Sequence, residues 1–238
     1  MLSIKEFSKI YSGGKKKAAS NINIEVKDGE IFGFIGHNGA GKTTTIKSIV
    51  GILDFEEGEI LIDNMSIKDK PIECKKIMAY IPDNPDLYDA LTGIQYLNFV
   101  ADIYGISKID RENRIKKYSD EFEITNSLGD LISSYSHGMK QKLAVISALI
   151  HEPKLLILDE PFVGLDPKAA HTLKGIMKEI CISGGSIFFS SHVLEVVEKL
   201  CDRIAIIKDG QIVALGDVAT VKGDSSLEEV FMEMIENE

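Results

Sequence analysis

Continuous runs of apolar residues, each bounded by turn-forming residues, recur along the chain. They lie at residues 31–35, 155–158, 186–190 and 204–207. Runs of this length without polar alternation are typical of strands that helices cover on both faces. Segments with helical periodicity lie between them, at residues 42–53, 167–182 and 192–201. This alternation predicts an α/β domain built on a largely parallel sheet.

Two regions depart from that alternation. Residues 1–40 and 58–67 alternate apolar and polar positions like exposed strands, which predicts a small antiparallel β layer. Residues 88–150 show helical periodicity with few strand signals and predict a helical insertion. We therefore expect a single domain over 1–238. Its β layer and core would take 1–87 and 151–238, and a helical subdomain would take 88–150.

The C-terminal part carries two further local signals. Asp209-Gly210 stands between two β-like runs, and this dipeptide is a strong hairpin signal. Residues 227–235 have the spacing of an amphipathic helix.

Composition and charge narrow the class of protein. The chain has 238 residues, of which 44% are hydrophobic, so it can bury a full core and disorder is excluded. Lys and Arg number 27 against 37 Asp and Glu, a net charge of −10. A protein that binds phosphate backbones is expected to be basic, so no nucleic-acid partner is predicted. The basic run Lys15-Lys16-Lys17 is interpreted as a solvated loop.

The cysteines and the apolar segments bear on location. Cys74, Cys181 and Cys201 are odd in number and widely spaced, which favours free thiols in a reducing compartment. The first eleven residues lack the apolar core of a signal peptide, and no run approaches the length needed to cross a bilayer. We expect a cytoplasmic chain whose membrane role, if it has one, comes through a partner.

A glycine-rich segment follows the first apolar run and opens a predicted helix. It consists of Gly36, His37, Asn38, Gly39, Ala40, Gly41, Lys42, Thr43 and Thr44. Glycines let backbone N–H groups surround a phosphate, and the helix N-terminus adds a favourable dipole. In this pattern Lys42 reaches the β- and γ-phosphates and Thr43 offers its hydroxyl to Mg²⁺, while Thr44 would reach the α-phosphate. A chance match is the alternative, and the strand before and helix after the motif argue against it.

Two acids end the apolar run at 155–158. Asp159 would lie at the carboxyl end of a parallel strand, where α/β sheets bind ligands, and its carboxylate suits Mg²⁺. Glu160 follows and is a candidate to accept a proton from an attacking water or to orient it. One acid after a strand is often only a helix cap, but a pair in a chain with a phosphate loop is a stronger signal.

A third motif gives these residues a family context. The segment Tyr135-Ser136-His137-Gly138-Met139-Lys140-Gln141 resembles a variant of the LSGGQ signature and lies upstream of Asp159. Leu165-Asp166-Pro167 resembles the D-loop, and Ser190-Ser191-His192 resembles the switch-histidine segment. With the phosphate loop, these motifs identify the chain as a member of the ABC ATPase family over essentially its whole length. The resemblance implies a P-loop NTPase fold of the ABC type, with ATP and Mg²⁺ as ligands.

The resemblance also implies roles for particular residues. Tyr11 matches the aromatic residue that stacks on adenine, although it could simply pack on a strand. Ser136 and Gly138 would contact the γ-phosphate held by a second ATPase subunit, identical or related, and Asp166 would lie at the seam between the two. His192 would hydrogen-bond the γ-phosphate and help position the water. Catalytic roles therefore fall to Glu160, His192 and Lys42.

The chain departs from the family pattern at three positions. Asp83 stands where Gln is usual, so its expected contact with Mg²⁺ or with the nucleotide is left open. His137 and Met139 replace Gly and Gln, and a histidine would be strained if the loop required a positive φ there. We expect Ser136 and Gly138 to keep their role while His137 points outward.

The segment from Pro82 to Tyr88, the following Leu91-Thr92-Gly93 and the signature variant resemble those of ATPase subunits of drug-resistance, lantibiotic-immunity and sodium-extrusion exporters. This resemblance favours export over import. Residues 83–92 would form part of a groove for a separate transmembrane permease subunit. Leu87, Tyr88 and Leu91 would line that groove or, equally, belong to the core. Two other functions are open: an ABC ATPase unrelated to transport, and a regulatory ATP-binding module with little turnover. The short helical insertion and acidic balance argue against the first, and Lys42, Asp159, Glu160 and His192 against the second.

Overall fold

A computed structural model describes residues 1–11 and 17–236 of the chain. Over these residues the central sheet has six strands in the order β10-β9-β3-β8-β7-β6. Its strands are β3 (Ile31–Ile35), β6 (Met78–Ile81), β7 (Leu155–Asp159), β8 (Ser186–Ser191), β9 (Arg203–Lys208) and β10 (Gln211–Asp217). The neighbouring pairs from β9 through β6 are parallel, and β10 is antiparallel to β9. The predicted largely parallel sheet is confirmed.

The central strands are buried on both faces because their side chains enter two different cores. Ile31 and Ile35 of β3 pack with the helices on one face, while Phe32 and Phe34 pack against the opposite layer. Since side chains alternate along a strand, a continuous apolar run is what a two-sided core requires.

The opposite layer is an antiparallel sheet in the order β2-β1-β4-β5. Its strands are β1 (Leu2–Ile10), β2 (Lys17–Val26), β4 (Glu57–Ile62) and β5 (Met65–Ser66). The expectation that the whole segment 1–40 joins this layer is wrong, because residues 31–35 pair in the parallel sheet. Lys15 and Lys16 lie outside the described residues, whereas Lys17 begins β2 and its ammonium lies 2.7 Å from Glu57.

The first helix is shorter than its periodicity predicts. Helix α1 (Lys42–Ile49) ends four residues before the predicted limit of 53, because Gly51 takes a left-handed φ of 67°. The amides of Ile52 and Leu53 then both bond to the carbonyl of Lys47. Glycine adopts this conformation without the steric cost other residues incur, so it stops the helix there.

Three helices lie between β6 and β7: α3 (Gly93–Ile103), α4 (Lys108–Glu121) and α5 (His137–Leu149), with 3₁₀ turns at Thr125–Ser127 and Ile132–Ser134. Thr92 and Gln95 form a reciprocal capping box at the start of α3. These helices confirm the predicted helical character, while the subdomain boundaries at 88 and 150 stay a prediction. Among the described residues, no helix is both long and apolar enough to span a bilayer.

The remaining helices are α2 (Pro71–Ile77), α6 (Pro167–Ile182), α7 (Leu194–Leu200), α8 (Val218–Lys222) and α9 (Leu227–Glu236). The predicted hairpin at Asp209-Gly210 is confirmed by β9 and β10. Its tip supports the glycine-rich loop, since the Gly210 amide donates to the carbonyl of Ala40 at 2.9 Å and the Gly210 carbonyl accepts from Ser20 at 2.7 Å.

Candidate active site

The glycine-rich loop connects β3 to α1 in a conformation that depends on its glycines. Gly39 and Gly41 have φ of 86° and 110°, which other residues rarely adopt. A Cβ at Gly41 would lie 2.3 Å from the carbonyl oxygen of Ala18, and one at Gly36 would lie 2.6 Å from that of Ile207. The loop is therefore wedged between β2 and β9, with Gly41 immediately before the start of α1.

A cavity of about 340 Å³ opens beside this loop, at the carboxyl ends of the parallel strands. It gathers most of the residues singled out from the sequence and one that was not, Ala18. The lining residues are Tyr11, Ala18, His37, Asn38, Gly39, Gly41, Lys42, Thr43, Thr44, Asp83, Asp159 and Glu160. Gly36 and Ala40 of the loop are buried and, like His192, do not line the cavity.

Lys42 places a buried ammonium in this cavity. Its side chain is only 7% exposed, and its ammonium donates to the carbonyl of Gly36 at 2.6 Å. The ammonium also lies 3.7 Å from Oε1 of Glu160. A buried lysine is costly unless charges and hydrogen bonds compensate it, and this pair supplies both.

The hydroxyl of Thr43 and the carboxylate of Asp159 lie together in the same cavity as Lys42. The hydroxyl of Thr43 donates to Oδ2 of Asp159 at 3.0 Å. The hydroxyl of Ser190 donates to Oδ1 of the same carboxylate at 2.5 Å. Asp159 is only 1% exposed, and these two hydroxyl donors hold its buried carboxylate in place. Ser190 was not named as a site residue, and the Ser-Ser pair before His192 was the signal that could have found it.

The donor set fits a hard divalent cation such as Mg²⁺. Hydroxyl and carboxylate oxygens are the ligands Mg²⁺ prefers, and it commonly takes one or two protein ligands and completes its shell with phosphate and water. Over residues 1–11 and 17–236 no group of three or more His, Cys, Asp or Glu side chains could hold a metal alone. Among the described residues, the cavity lining has three carboxylates and one ammonium, and a divalent cation would offset the charge of an anionic ligand beside these carboxylates.

Glu160 is held by the end of β8 and by the residue that follows it. Its backbone amide donates to the hydroxyl of Ser190 at 3.1 Å, and its φ of 49° is unusual for a residue with a side chain. Oε2 of Glu160 lies 2.8 Å from Nδ1 of His192 and accepts the His192 amide at 3.2 Å. Strained backbone at a polar cleft is a frequent sign of a functional residue. The structure thus brings together Glu160, His192 and Lys42.

Tyr11 and Asp83 also line the cavity. Tyr11 is 48% exposed, and its hydroxyl lies 3.1 Å from that of Thr44. Asp83 is exposed, and its Oδ1 accepts the amide of Asn84 at 2.9 Å. Burial, together with the charges of Asp159 and Asp83, raises the pKa of Tyr80 on β6 far above its ordinary value. Its phenol therefore stays protonated beside the two carboxylates.

Ser136, Gly138 and Asp166 do not line the cavity. Ser136 is the exposed N-cap of α5, where its hydroxyl accepts the amide of Met139 at 3.3 Å. Asp166 caps α6 by accepting the amide of Ala169 at 2.8 Å and lies 2.7 Å from the ammonium of Lys142. The hydrogen bond from Lys142 lowers the pKa of Asp166. These residues form a second cluster on the same chain.

His137 differs from the expectation in one respect. His137 occupies the first turn of α5 and its φ is not positive. The backbone strain that a positive φ would cause is therefore absent. The ring is exposed, as predicted, yet it does not simply project into solvent. A Cβ built on Gly164 would lie 2.5 Å from its Cδ2 atom.

A strand, a glycine loop and a helix, with Lys42 and the Thr43–Asp159 pair at their junction, define a P-loop nucleotide-binding domain. Comparison with known proteins identifies the family within this class. The chain belongs to the ABC transporter family, whose model matches residues 19–163. It is an ATP-binding protein of the ABC ATPase type, which confirms the resemblance carried by the signature segment.

Individual relatives match nearly the whole chain. The ABC-type transporter ATP-binding protein EcsA of Bacillus subtilis is 34% identical over 98% of this chain and 96% of its own length. The linearmycin resistance ATP-binding protein LnrL of the same organism is 35% identical over 91% of this chain and 69% of its own. A solved structure described as the ATP binding subunit of an ABC transporter superposes with a TM-score of 0.94 at 35% identity, covering 98% of this chain and 99% of the other.

Proposed function

We propose that the chain hydrolyses ATP in the cavity around Lys42 and so powers transport through a separate transmembrane permease. The observation that carries this proposal is the group Lys42, Glu160 and His192, in which a buried ammonium, a carboxylate and an imidazole lie within 3.7 Å of their neighbours. A module that only bound nucleotide would not need Glu160 in the cavity with His192 hydrogen-bonded to it.

The phosphates of ATP bind to amides of the loop residues that line the cavity, 37–39 and 41–44, and to the ammonium of Lys42. The N-terminus of α1 faces the same point and its dipole favours the anion. Thr43 and Asp159 would hold Mg²⁺, which would neutralise charge on the β- and γ-phosphates. We extend the metal set to Asp83, which lines the same cavity.

Glu160 is the group we assign to activation of the attacking water. Its Oε2 accepts from His192, and the pair is anchored by the bond from the Glu160 amide to Ser190. An anchored carboxylate accepts or orients a proton at a defined point, which is where general-base catalysis gains its rate. With Nδ1 turned to Glu160, the Nε2 atom of His192 can face the γ-phosphate.

The second cluster implies a second subunit. At the N-terminus of α5, Ser136 contributes an exposed hydroxyl and Gly138 a backbone amide of the first turn. Such a combination suits an anion. The two residues do not line the cavity of their own chain, so we infer that they close over the ATP of a partner subunit, identical or related. Asp166 would lie at the seam between the two.

An exposed aromatic face formed by α3 and the segment before it is our candidate site for the permease. Tyr88 is 60% exposed and makes edge-to-face contacts with Tyr96 and Phe99 of α3. Phe99 is itself 43% exposed. Leu87 belongs to the core instead. Docking here would hold the chain on the inner face of the cell membrane. Its likeness to a linearmycin resistance protein supports export as the direction.

The decisive experiment uses Glu160→Gln. We expect this variant to bind ATP with Mg²⁺ and to form a stable dimer by size-exclusion chromatography, while its turnover falls by about 10²-fold or more. Lys42→Ala should lose both binding and dimer. The matched control is Glu228→Gln, which removes one exposed carboxylate of α9 and should behave as wild type. Turnover of Glu160→Gln at the wild-type rate would refute the assignment.

A further inference from the structure

The side chain of His137 fills a space that exists because residue 164 has no Cβ. A Cβ at Gly164 would lie 2.5 Å from Cδ2 and 2.7 Å from Nε2 of His137, closer than such atoms approach. Gly164 itself has a φ of 80°, so glycine is favoured there for its backbone as well as for the ring. The ring and the glycine are thus complementary in shape.

Two neighbouring contacts join the same elements. A Cβ at Gly138 would lie 2.9 Å from the carbonyl oxygen of Gly164, so α5 and the loop approach each other at backbone distance. One turn along α5, the ammonium of Lys142 lies 2.7 Å from Asp166, which caps α6. The N-terminal end of α5 is therefore packed on residues 164–166.

Residues 164–166 are connected to Glu160 by a compact segment. The amide of Val163 donates to the carbonyl of Glu160 at 3.2 Å, and the amide of Leu165 donates to that of Phe162 at 3.4 Å. Two successive turns leave little freedom between Glu160 and Gly164. A displacement of Gly164 by even part of an ångström would therefore be passed to Glu160, whose position affects its chemistry.

We propose that His137 is a positioning residue that fixes Gly164 and, through the turns of 160–164, the carboxylate of Glu160. The inference rests on the proposed function. In that function the N-terminus of α5 closes over the ATP of a partner subunit, and Glu160 acts on the ATP bound by its own subunit; His137 would connect the two. The ring does this by packing: it fills the gap over Gly164 and does not touch substrate.

Three single variants test the role of the ring. His137→Ala should lower kcat by about fivefold or more while KM for ATP changes less than about twofold, since the phosphate loop is untouched. His137→Phe keeps a ring of similar size and should retain most of kcat. His171→Ala, an exposed histidine of α6, is the matched control and should leave both constants unchanged. Equal losses in the Ala and Phe variants would overturn a packing role.

A double-mutant cycle with Gly164→Ala tests the contact itself. The added methyl meets the ring in the His137 background but not in His137→Ala, whereas the backbone strain of φ 80° is common to both. We expect Gly164→Ala to cost at least about threefold more in kcat when the ring is present. Additive effects would overturn the inference. If Glu160→Gln still forms its ATP-dependent dimer in that case, the proposed function survives and only the role of His137 falls.

Discussion

Replacement of Gly41 by alanine gives a sharp test of the phosphate loop, because Gly39 provides a built-in control. Both glycines have positive φ, 110° and 86°. A Cβ on Gly39 would meet nothing within 4 Å, whereas one on Gly41 would lie 2.3 Å from the carbonyl oxygen of Ala18. The two substitutions therefore share the backbone strain and differ in the collision with β2.

The expected magnitudes follow from these geometries. Left-handed backbone costs a non-glycine residue roughly 1–2 kcal/mol, so Gly39→Ala should lower the free energy of unfolding by about that amount. Gly41→Ala adds a forced shift of packed backbone, and overpacking of this kind costs roughly 1–3 kcal/mol more. For a chain of this length, each kcal/mol corresponds to roughly 2–4 °C in Tm.

Thermal unfolding followed by circular dichroism measures both variants. Nucleotide titration should show a further difference, since the collision at Gly41 displaces the residue just before Lys42 and Thr43. We expect ATP affinity to fall about tenfold or more in Gly41→Ala and to fall less in Gly39→Ala. If the two variants have the same Tm and the same affinity, the loop is not wedged against β2 in the way the structure indicates.

Two further predictions concern buried polar groups away from the cavity. Gln141 of α5 is 0% exposed, and neither polar atom of its side-chain amide has a hydrogen-bond partner among the described residues. Gln141→Leu should therefore raise the free energy of unfolding, measured by urea titration, by about 1–2 kcal/mol. A decrease in that free energy would contradict this prediction. Burial lowers the pKa of His151 below its ordinary 6.5, with Arg114 acting in the same direction, and its ring stacks on Tyr104 at 3.8 Å. The unfolded chain then binds more protons, so stability falls as pH drops from about 6.5 through the lowered pKa. His151→Phe keeps the stack and should show a flatter pH profile of Tm, whereas parallel profiles would refute the assignment.

The strand and loop pattern of this chain could be predicted from local sequence alone. The apolar runs at 31–35 and 155–158 required two-sided burial, and the glycines before Lys42 required a left-handed loop. Both follow from rules that act over a few residues, the alternation of side chains and the sterics of Cβ. The sheet that residues 31–35 join depends on distant pairing partners, which local rules do not specify. The end of α1 at Ile49 is a different error, because Gly51 marks it in the local sequence while the helical periodicity runs past that glycine.

The sequence by itself determined which residues are candidates for the proposed chemistry: the phosphate loop with Lys42 and Thr43, and the acids Asp159 and Glu160. Only the tertiary structure decided how they are held. Ser190 fixes both acids, and His192 reaches Glu160 across 32 positions of chain. His137 rests on Gly164, a contact that no motif contains. The physical reason is that motifs record the groups a ligand needs, whereas hydrogen bonds and packing between distant segments depend on how strands and helices meet in space.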